Sequence, residues 1–204
     1  MKFFIIRHAE TELNKNGRIQ GHIDAELSEE GKQQAEKLAQ ALSKEKIDAV
    51  YCSDLKRCRQ TIAPLLKIKE IPTTYTKKLR ERKYGIFEGK PKEEFFKYMS
   101  VDNFIAKYKR KIPGGETFDK MRERTAALLN RIIEKEKDKN VLISTHGGVS
   151  IAVIINLLNG KPEKDNENYE KYRASNTSLT IINIENNSPE VLLLSSTKHL
   201  QTTA

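Results

Sequence analysis

Two histidines each stand directly after a short apolar run. His8 follows Arg7 and the apolar residues 3–6, and His146 follows the run Val141–Thr145. Short runs rich in β-branched residues predict buried strands. In an open α/β sheet, ligands bind outside the carboxyl ends of the strands, so we expect both imidazoles at one crevice. The alternative is that the two histidines are unrelated loop residues hydrogen-bonded to backbone carbonyls. A single histidine in such a place would favour this alternative, but two histidines with neighbouring cations favour a shared site.

The residues near these histidines in the predicted crevice carry charges that suit a phosphoryl group. Arg7 precedes His8, Arg57 follows the strand-like run 48–52, and Glu81 lies among cations in the segment 79–85. Guanidinium groups match phosphate oxygens bidentately and stay charged at any working pH. Arg7 ends an apolar strand, where burial is costly unless an anion compensates it. This set therefore predicts a pocket for a dianionic phosphoryl group.

A two-step phosphoryl transfer follows from these residue types. A neutral imidazole can attack phosphorus in line and form a covalent phosphohistidine, while arginines disperse charge on the equatorial oxygens. Glu81 can protonate the leaving alkoxide and later activate water, and His146 can donate a hydrogen bond to the phosphoryl group. No dense carboxylate cluster accompanies the histidines. The prediction therefore includes no metal ion and no cofactor.

Residues 7–14 are similar to the R-H-G-E-[ST]-x-x-N signature of the histidine phosphatase superfamily, in its phosphoglycerate-mutase-like branch. The resemblance covers nearly the whole chain in matching order, and only Ala9 replaces a commoner glycine. It implies that His8 is the phosphorylated nucleophile and that Glu81 is the proton donor. The rest of the implied site is the phosphate pocket of Arg7, Arg57 and His146 and the substrate contacts Asn14, Gln20, Gly21 and Gly147. Further matching motifs lie at residues 20–21, 27–31, 53–57, 79–89, 113–117 and 144–149.

The family contains both phosphatases and mutases, and the sequence favours a phosphatase. The segment 90–113 is shorter than the insertion of the mutases it resembles, and Glu88-Gly89 is similar to the phosphatase form of the motif. Residues 79–90 are most similar to fructose-2,6-bisphosphatase-type enzymes, with broad-specificity sugar-phosphate and α-ribazole phosphatases as close competitors. A cofactor-dependent phosphoglycerate mutase is the alternative. A further hypothesis is that Lys109 and Arg110 bind a second phosphate of the substrate.

The elements that must position these residues alternate along the chain. Besides the two strands named above, strands are expected at 48–52, 178–184 and 191–196. Helices are expected from Ser28, over 55–66 through Pro64, over 118–133 and over 149–158. This order predicts one α/β domain over residues 1–204, with a mostly parallel sheet covered by helices on both faces. The irregular segment 90–113 is a candidate lid over the site.

Composition and the remaining motifs leave other classes of function less favoured. The chain has 204 residues and a net charge of +9. A non-enzymatic nucleic-acid-binding domain would use basic residues such as Lys107 and Lys111, but the positive charges are dispersed among acids rather than gathered in a stripe. A serine hydrolase built on Ser150, Asp165 and His199 lacks the last glycine of the nucleophile elbow.

The remaining expectations concern the setting of the protein. Cys52 and Cys58 are expected to be packing residues rather than nucleophiles or a disulfide framework. Neither a signal peptide nor an apolar stretch of membrane-spanning length is present. We therefore expect a cytoplasmic monomer or homodimer that acts on a small phosphorylated metabolite, with neither nucleic acid nor membrane as partner.

Overall fold

Six strands form one mixed sheet at the centre of the protein. The computed structural model describes residues 1–100, 109–158 and 171–201. The strands are β1 (Lys2–Arg7), β2 (Ala49–Ser53), β3 (Thr73–Thr76), β4 (Val141–Thr145), β5 (Leu179–Glu185) and β6 (Ser188–Ser196). They lie in the order β3-β2-β4-β1-β5-β6.

The strands that carry the predicted site are parallel, and the last two are not. β3, β2, β4 and β1 run parallel to one another, with Arg7 beside Thr145 in the β1–β4 register. β5 pairs antiparallel with β1, and β6 returns antiparallel to β5 through a turn at Asn186 and Asn187. Both turn residues have positive φ, which suits asparagine in a tight hairpin. The expectation of an α/β fold with a mostly parallel sheet is confirmed, with an antiparallel hairpin at one edge.

Helices cover both faces of the sheet, as expected. One face packs against α2 (Glu29–Leu42) and α3 (Lys56–Ile68), and the other against α5 (Phe118–Lys135) and α6 (Gly147–Leu157). Because strand side chains alternate, Phe4 and Ile6 face the first pair of helices while Phe3 and Ile5 face the second. Two shorter helices, α1 (Glu12–Lys15) and α4 (Lys92–Met99), lie near the carboxyl ends of the strands.

Capping and amphipathic patterns explain where the long helices begin and which face they bury. The Ser28 side chain accepts a hydrogen bond from the Gly31 N–H at the start of α2, and Thr117 does the same for Lys120 at the start of α5. α3 continues through Pro64 because its buried face keeps the helix packed on the sheet. No helix among the described residues is long and apolar enough to cross a membrane.

The structure differs from the sequence predictions at several places. Ile133, the last residue of the helix expected over 118–133, is 38% exposed because it lies on the solvent side of α5, which continues to Lys135. α6 begins at Gly147, two residues earlier than expected, since two glycines hid the start of its periodicity. The sequence did not predict β3, a short edge strand whose residues are largely polar and partly exposed, nor α4 within the segment 90–113. Residues 101–108 of that segment lie outside the described residues.

Candidate active site

The carboxyl ends of β1 and β4 bring the two predicted histidines together. The His8 N–H donates to the Thr145 carbonyl at 2.8 Å, which continues the β1–β4 pairing by one residue. His8 and His146 therefore leave neighbouring strands side by side, with ring centroids 5.2 Å apart and planes at 61°. Both are buried, at 3% and 0% exposure. The expected convergence of the two imidazoles is present.

The ring of His8 is held in one tautomer. Its Nδ1 lies 2.7 Å from the Ala9 carbonyl oxygen, which can only accept, so Nδ1 carries the proton. In the neutral ring Nε2 is then left with its lone pair. Burial and the positive charges of Arg57 and Arg7 lower the pKa of His8 well below its usual value. At neutral pH His8 is therefore an uncharged imidazole whose Nε2 carries a lone pair and no proton.

Ala9, which replaces the family's commoner glycine, fits its position. The residue is completely buried and packs with Leu27 and Ala35. Its N–H donates to the Thr61 hydroxyl at 2.9 Å. The extra methyl group therefore fills space under the site without disturbing His8.

Arg57 is held by the first turn of α3 and by the loop around Gly21. Its side chain is fully buried. Its Nη1 donates to the Ile23 carbonyl at 2.7 Å and its Nη2 to the Gly21 carbonyl at 2.8 Å, while Nε donates to His146 Nδ1 at 3.1 Å. These bonds use three of the five guanidinium N–H groups and leave the others for a ligand.

His146 is fully buried and is not among the residues that line the cavity beside His8. Because Nδ1 accepts from Arg57, the neutral ring carries its proton on Nε2, which lies 2.8 Å from the Ser53 hydroxyl. Burial and the charge of Arg57 lower its pKa well below the usual value. Both ring nitrogens thus have protein partners. A direct hydrogen bond from His146 to a phosphoryl oxygen, as the sequence suggested, would require one of these contacts to open.

Glu81 is fixed by two backbone N–H groups. Its Oε1 accepts from the Arg82 N–H at 2.8 Å and its Oε2 from the Gly148 N–H at 3.0 Å. Glu81 as a whole is 9% exposed. A Cβ atom on Gly148 would lie 2.7 Å from Oε1, so only glycine leaves room for the carboxylate here. Gly148, the second glycine after His146, therefore has a steric role that the motif alone did not explain.

Arg7 and Asn14 present donors to the same space. Arg7 Nη1 donates to the Ala174 carbonyl at 2.7 Å, whereas its buried Nε has no hydrogen-bond partner among the described residues. Asn14 Oδ1 accepts from the N–H and hydroxyl of Thr11 and from Asn176 Nδ2. That pattern directs the Asn14 amide NH₂ away from these partners. An unpartnered buried guanidinium N–H is the kind of group that a bound anion satisfies.

These side chains line one cavity of about 250 Å³, which we call the inner cavity. Its apolar and aromatic lining residues are Ile19, Tyr84, Phe95, Phe96 and Ile151. Every predicted site residue except His146 lines the inner cavity. The predicted residues on its wall are Arg7, His8, Asn14, Gln20, Gly21, Arg57, Glu81 and Gly147.

A second recess of about 380 Å³, which we call the outer cavity, adjoins the inner one. The two share Arg7, Asn14, Lys92 and Arg173. Sequence analysis missed both Lys92 and Arg173. Arg173 precedes β5. Because β5 runs antiparallel to β1, the start of β5 lies beside the carboxyl end of β1, where the site is. Had β5 been recognised as antiparallel, that position would have pointed to Arg173.

Lys109 and Arg110, the residues suggested for a second phosphate, line neither cavity. Instead the Arg110 guanidinium lies over the Tyr98 ring, 4.3 Å from its centroid. Their positions do not support the sequence hypothesis. Lys92 and Arg173, by contrast, line both cavities.

The other nucleophiles considered from sequence are not placed for chemistry. The Ser150 hydroxyl donates to the Gly147 carbonyl within α6, neither Ser150 nor His199 lines the inner cavity, and Asp165 lies outside the described residues. Cys52 and Cys58 are buried free thiols, and burial raises the pKa of Cys58 to about 12. The expectation that both cysteines pack in the interior is confirmed. Within the described ranges, no three His, Cys, Asp or Glu side chains cluster as a metal site.

Comparisons with known proteins agree with the fold. Residues 3–197 match the model of the histidine phosphatase superfamily, branch 1. The broad-specificity phosphatase YOR283W of Saccharomyces cerevisiae is 34% identical over 215 residues, covering 98% of this chain and 87% of the yeast protein. The fructose-2,6-bisphosphatase TIGAR of Bos taurus is 38% identical over 144 residues, covering 67% of this chain and 53% of the bovine protein.

Solved structures show the same architecture. The crystal structure of a phosphoserine phosphatase mutant from Entamoeba histolytica, in complex with phosphoserine, matches with a TM-score of 0.82 and 27% identity. The match covers 98% of this chain and 99% of that protein. The family resemblance read from the motifs is confirmed.

Proposed function

The chain belongs to the histidine phosphatase superfamily, and we propose that it hydrolyses small phosphomonoesters through a covalent phosphohistidine at His8. Its relatives include a phosphatase matched over nearly the whole chain, so the activity is phosphoric monoester hydrolysis. The observation that carries the proposed mechanism is the fixed tautomer of His8, whose Nδ1 proton is bonded to the Ala9 carbonyl. That bond leaves the Nε2 lone pair available to attack phosphorus.

In the first step, Nε2 of His8 forms a bond to phosphorus while the ester oxygen leaves. The buried Arg7 Nε, the remaining N–H groups of Arg57 and the Asn14 amide support binding of the phosphoryl oxygens. Cationic donors that are already fixed in place stabilise the charge of the transition state without reorganising. The resulting phosphohistidine keeps its Nδ1 hydrogen bond to Ala9.

Glu81 is the proposed proton donor to the leaving oxygen. Its carboxyl group lines the inner cavity with His8. After departure of the alcohol, the carboxylate accepts a proton from the attacking water, and phosphate is released as the Nε2–phosphorus bond breaks. His146 is proposed to act through its bond to Arg57 Nε, which fixes the guanidinium, rather than by touching the phosphoryl group.

The proposal extends to the surroundings of the site. The segment 90–113 is proposed as a lid, supported by Lys92, Phe95 and Phe96 on the cavity wall. No metal ion enters the proposed steps, because the arginines supply the positive charge. The two free thiols support action in the cytoplasm, a reducing compartment. Sugar phosphates and phosphoglycerates are the proposed substrate class.

Trapping the intermediate tests this mechanism. After incubation with ³²P-labelled phosphomonoester and rapid quenching, we expect acid-labile, alkali-stable label on His8. His8→Ala should lose the label and lower kcat/KM by about 10³-fold or more. His199→Ala, a change at a histidine outside the inner cavity, should keep both.

Two outcomes would contradict parts of this proposal. Full activity of His8→Ala would exclude His8 as nucleophile. Transfer of the label to a phosphoglycerate, in preference to water, would identify the mutase alternative instead.

A further inference from the structure

The tautomer of His8 depends on the direction of one peptide group, the one between Ala9 and Glu10. Its carbonyl oxygen lies 2.7 Å from His8 Nδ1 and fixes the ring proton there. The C=O and N–H of a planar trans peptide point in opposite directions. If this group turned over, the Glu10 N–H would face His8 Nδ1, which would then have to accept a hydrogen bond. The ring proton would move to Nε2, and the nitrogen proposed to attack phosphorus would no longer have a free lone pair.

Gln34 holds that peptide group in its present direction. It lies in the second turn of α2 and is buried, and its side-chain Oε1 accepts from the Glu10 N–H at 3.0 Å. The Glu10 carbonyl accepts from the Ser28 N–H at the start of the same helix, at 3.0 Å. A Cβ atom on Gly31 would collide with that carbonyl oxygen, so the helix packs directly against the loop. α2 therefore fixes both backbone polar groups of Glu10, and through them the direction of the Ala9 carbonyl.

Thr61 holds the peptide group on the other side of Ala9. The Ala9 N–H donates to the Thr61 hydroxyl at 2.9 Å, and that hydroxyl donates its one hydrogen to the Arg57 carbonyl at 2.6 Å. Thr61 is 1% exposed, so these bonds are shielded from water. They join Ala9 to the first turn of α3, which carries Arg57. The backbone of Ala9 is thus held between two helices, by Gln34 on one side and by Thr61 on the other.

We infer that Gln34 and Thr61 are positioning residues, which keep the Ala9 backbone in the orientation that leaves Nε2 of His8 unprotonated. The inference deepens the proposed function and rests on it, since the tautomer affects the rate only if His8 is the nucleophile. Neither side chain lines the inner cavity, so we expect no contact between them and the substrate. Their loss should therefore slow the attack on phosphorus while the phosphoryl group still binds.

Replacement of Gln34 tests the bond to the Glu10 N–H. Gln34→Leu removes the acceptor and leaves that donor without its partner. We expect phosphorylation of the protein by p-nitrophenyl phosphate, measured in a single turnover, to slow about tenfold, the effect of one unsatisfied hydrogen-bonding group. The affinity for inorganic phosphate, measured by calorimetry, should stay close to that of the wild type. The matched control Gln33→Leu, the same change at the exposed neighbouring residue, should leave both quantities unchanged.

Replacement of Thr61 tests the other side of Ala9 independently. Thr61→Val keeps the shape of the side chain but removes the hydroxyl, and it should slow phosphorylation about tenfold for the same reason. Thr61→Ser keeps the hydroxyl and should restore most of the rate. Thr125→Val is the matched control, because the buried Thr125 hydroxyl makes the same kind of bond, to the Met121 carbonyl at 2.7 Å, within α5. It should leave the rate unchanged.

The nitrogen spectrum of the His8 ring distinguishes positioning from a merely structural role. In protein labelled with ¹⁵N-histidine, the wild type at neutral pH should show a protonated Nδ1 and an unprotonated Nε2, assigned by the loss of these signals in His8→Ala. In Gln34→Leu and Thr61→Val we expect a population of His8 with the proton on Nε2. Urea unfolding of each variant shows that the spectrum comes from folded protein.

The possible outcomes separate this inference from the proposed mechanism. Wild-type ring nitrogens in both Gln34→Leu and Thr61→Val would overturn the inference, as would a loss of rate matched by an equal loss of phosphate affinity. If Gln34→Leu does not fold, equal rates and spectra of Thr61→Val and Thr61→Ser would overturn it. The ring spectrum needs no turnover, so absence of a phosphohistidine in the wild type would contradict only the mechanism.

Discussion

At the scale of single residues, the position of Glu81 depends on two backbone N–H groups and on the lack of a side chain at Gly148. The carboxylate accepts from Arg82 and from Gly148 in the first turn of α6. The helix dipole favours a negative charge at that end. Gly147 lies beside Arg7 as well, but a Cβ atom there would be 3.6 Å from Arg7 Nε, an ordinary contact.

These distances predict different outcomes for two neighbouring alanine substitutions. Gly148→Ala should displace the Glu81 carboxylate, because the new methyl group would lie 2.7 Å from Oε1. We expect kcat/KM for an alkyl phosphate to fall about 10²-fold, as for loss of a general acid. The loss should be smaller for p-nitrophenyl phosphate, whose leaving group needs little protonation.

Gly147→Ala provides the control for steric displacement. Steady-state kinetics on both substrates should show a milder loss in this variant, without a difference between good and poor leaving groups. Equal losses on both substrates in Gly148→Ala would mean that Glu81 shapes the cavity but does not transfer the proton.

At the scale of elements, α4 packs on a small apolar cluster that is separate from the two cores of the sheet. Phe95 and Met99 of the helix contact Ile19, Phe87 and Ile112. The Phe95 ring meets Phe87 edge-on, with centroids 5.6 Å apart. The neighbouring Phe96 is 59% exposed although it lines the inner cavity. The cluster therefore holds α4 over the site through one face of the helix.

Removal of either ring tests how α4 is held. Phe95→Ala should destabilise the docked helix by about 3 kcal/mol, the usual cost of deleting a buried phenyl ring. Amide hydrogen exchange in α4 should then accelerate about 10²-fold, and KM should rise because the wall of the cavity loosens. Phe96→Ala, at an exposed neighbour, should leave exchange close to that of the wild type. Unchanged protection in Phe95→Ala would mean that other contacts hold α4 in place.

At the scale of the whole molecule, the net charge of +9 is a weak guide to function. The inner cavity uses only a few of the 37 lysines and arginines, namely Arg7, Arg18, Arg57, Lys92 and Arg173. Many others lie on exposed helix surfaces, some paired with acids, as Lys32 is with Glu29. The placement of a few cations around the inner cavity, rather than their total, carries the argument for an anionic substrate.

Burial of the active-site histidines also sets how stability responds to acid. Below about pH 6.5 the unfolded chain protonates His8 and His146, whereas the folded protein resists because their pKa values are lowered. The unfolded state then binds more protons than the folded state. The free energy of unfolding should therefore decrease as the pH is lowered, by about 1.4 kcal/mol per pH unit for each histidine. The loss begins near pH 6.5 and continues down to the lowered folded-state pKa. The half-buried His199 contributes with the same sign.

Urea unfolding at pH 7.5, 6.5 and 5.5 measures this slope. His8→Gln removes one titrating group from the site, so its free energy of unfolding should depend less steeply on pH below 6.5. A variant with the same slope as the wild type would show that His8 does not resist protonation in the fold.

The sequence alone determined the α/β class, the family and most of the polar residues that line the inner cavity. Those residues follow parallel strands or begin helices, and both features have strong local signals: apolar runs for β1 and β4, and a capping serine for α2. Because parallel strands end at the same edge of a sheet, the sequence pattern alone places His8 and His146 together.

Only the tertiary structure decided the tautomers and the second recess. The proton of His8 is fixed by the Ala9 carbonyl, and the ring of His146 is turned toward Arg57 and Ser53 by packing that no local pattern encodes. Arg173 reaches the site because β5 runs antiparallel to β1, which puts the start of β5 beside Ile6 at the end of β1. Strand direction depends on long-range pairing, so the sequence carried no local signal that Arg173 lines the site.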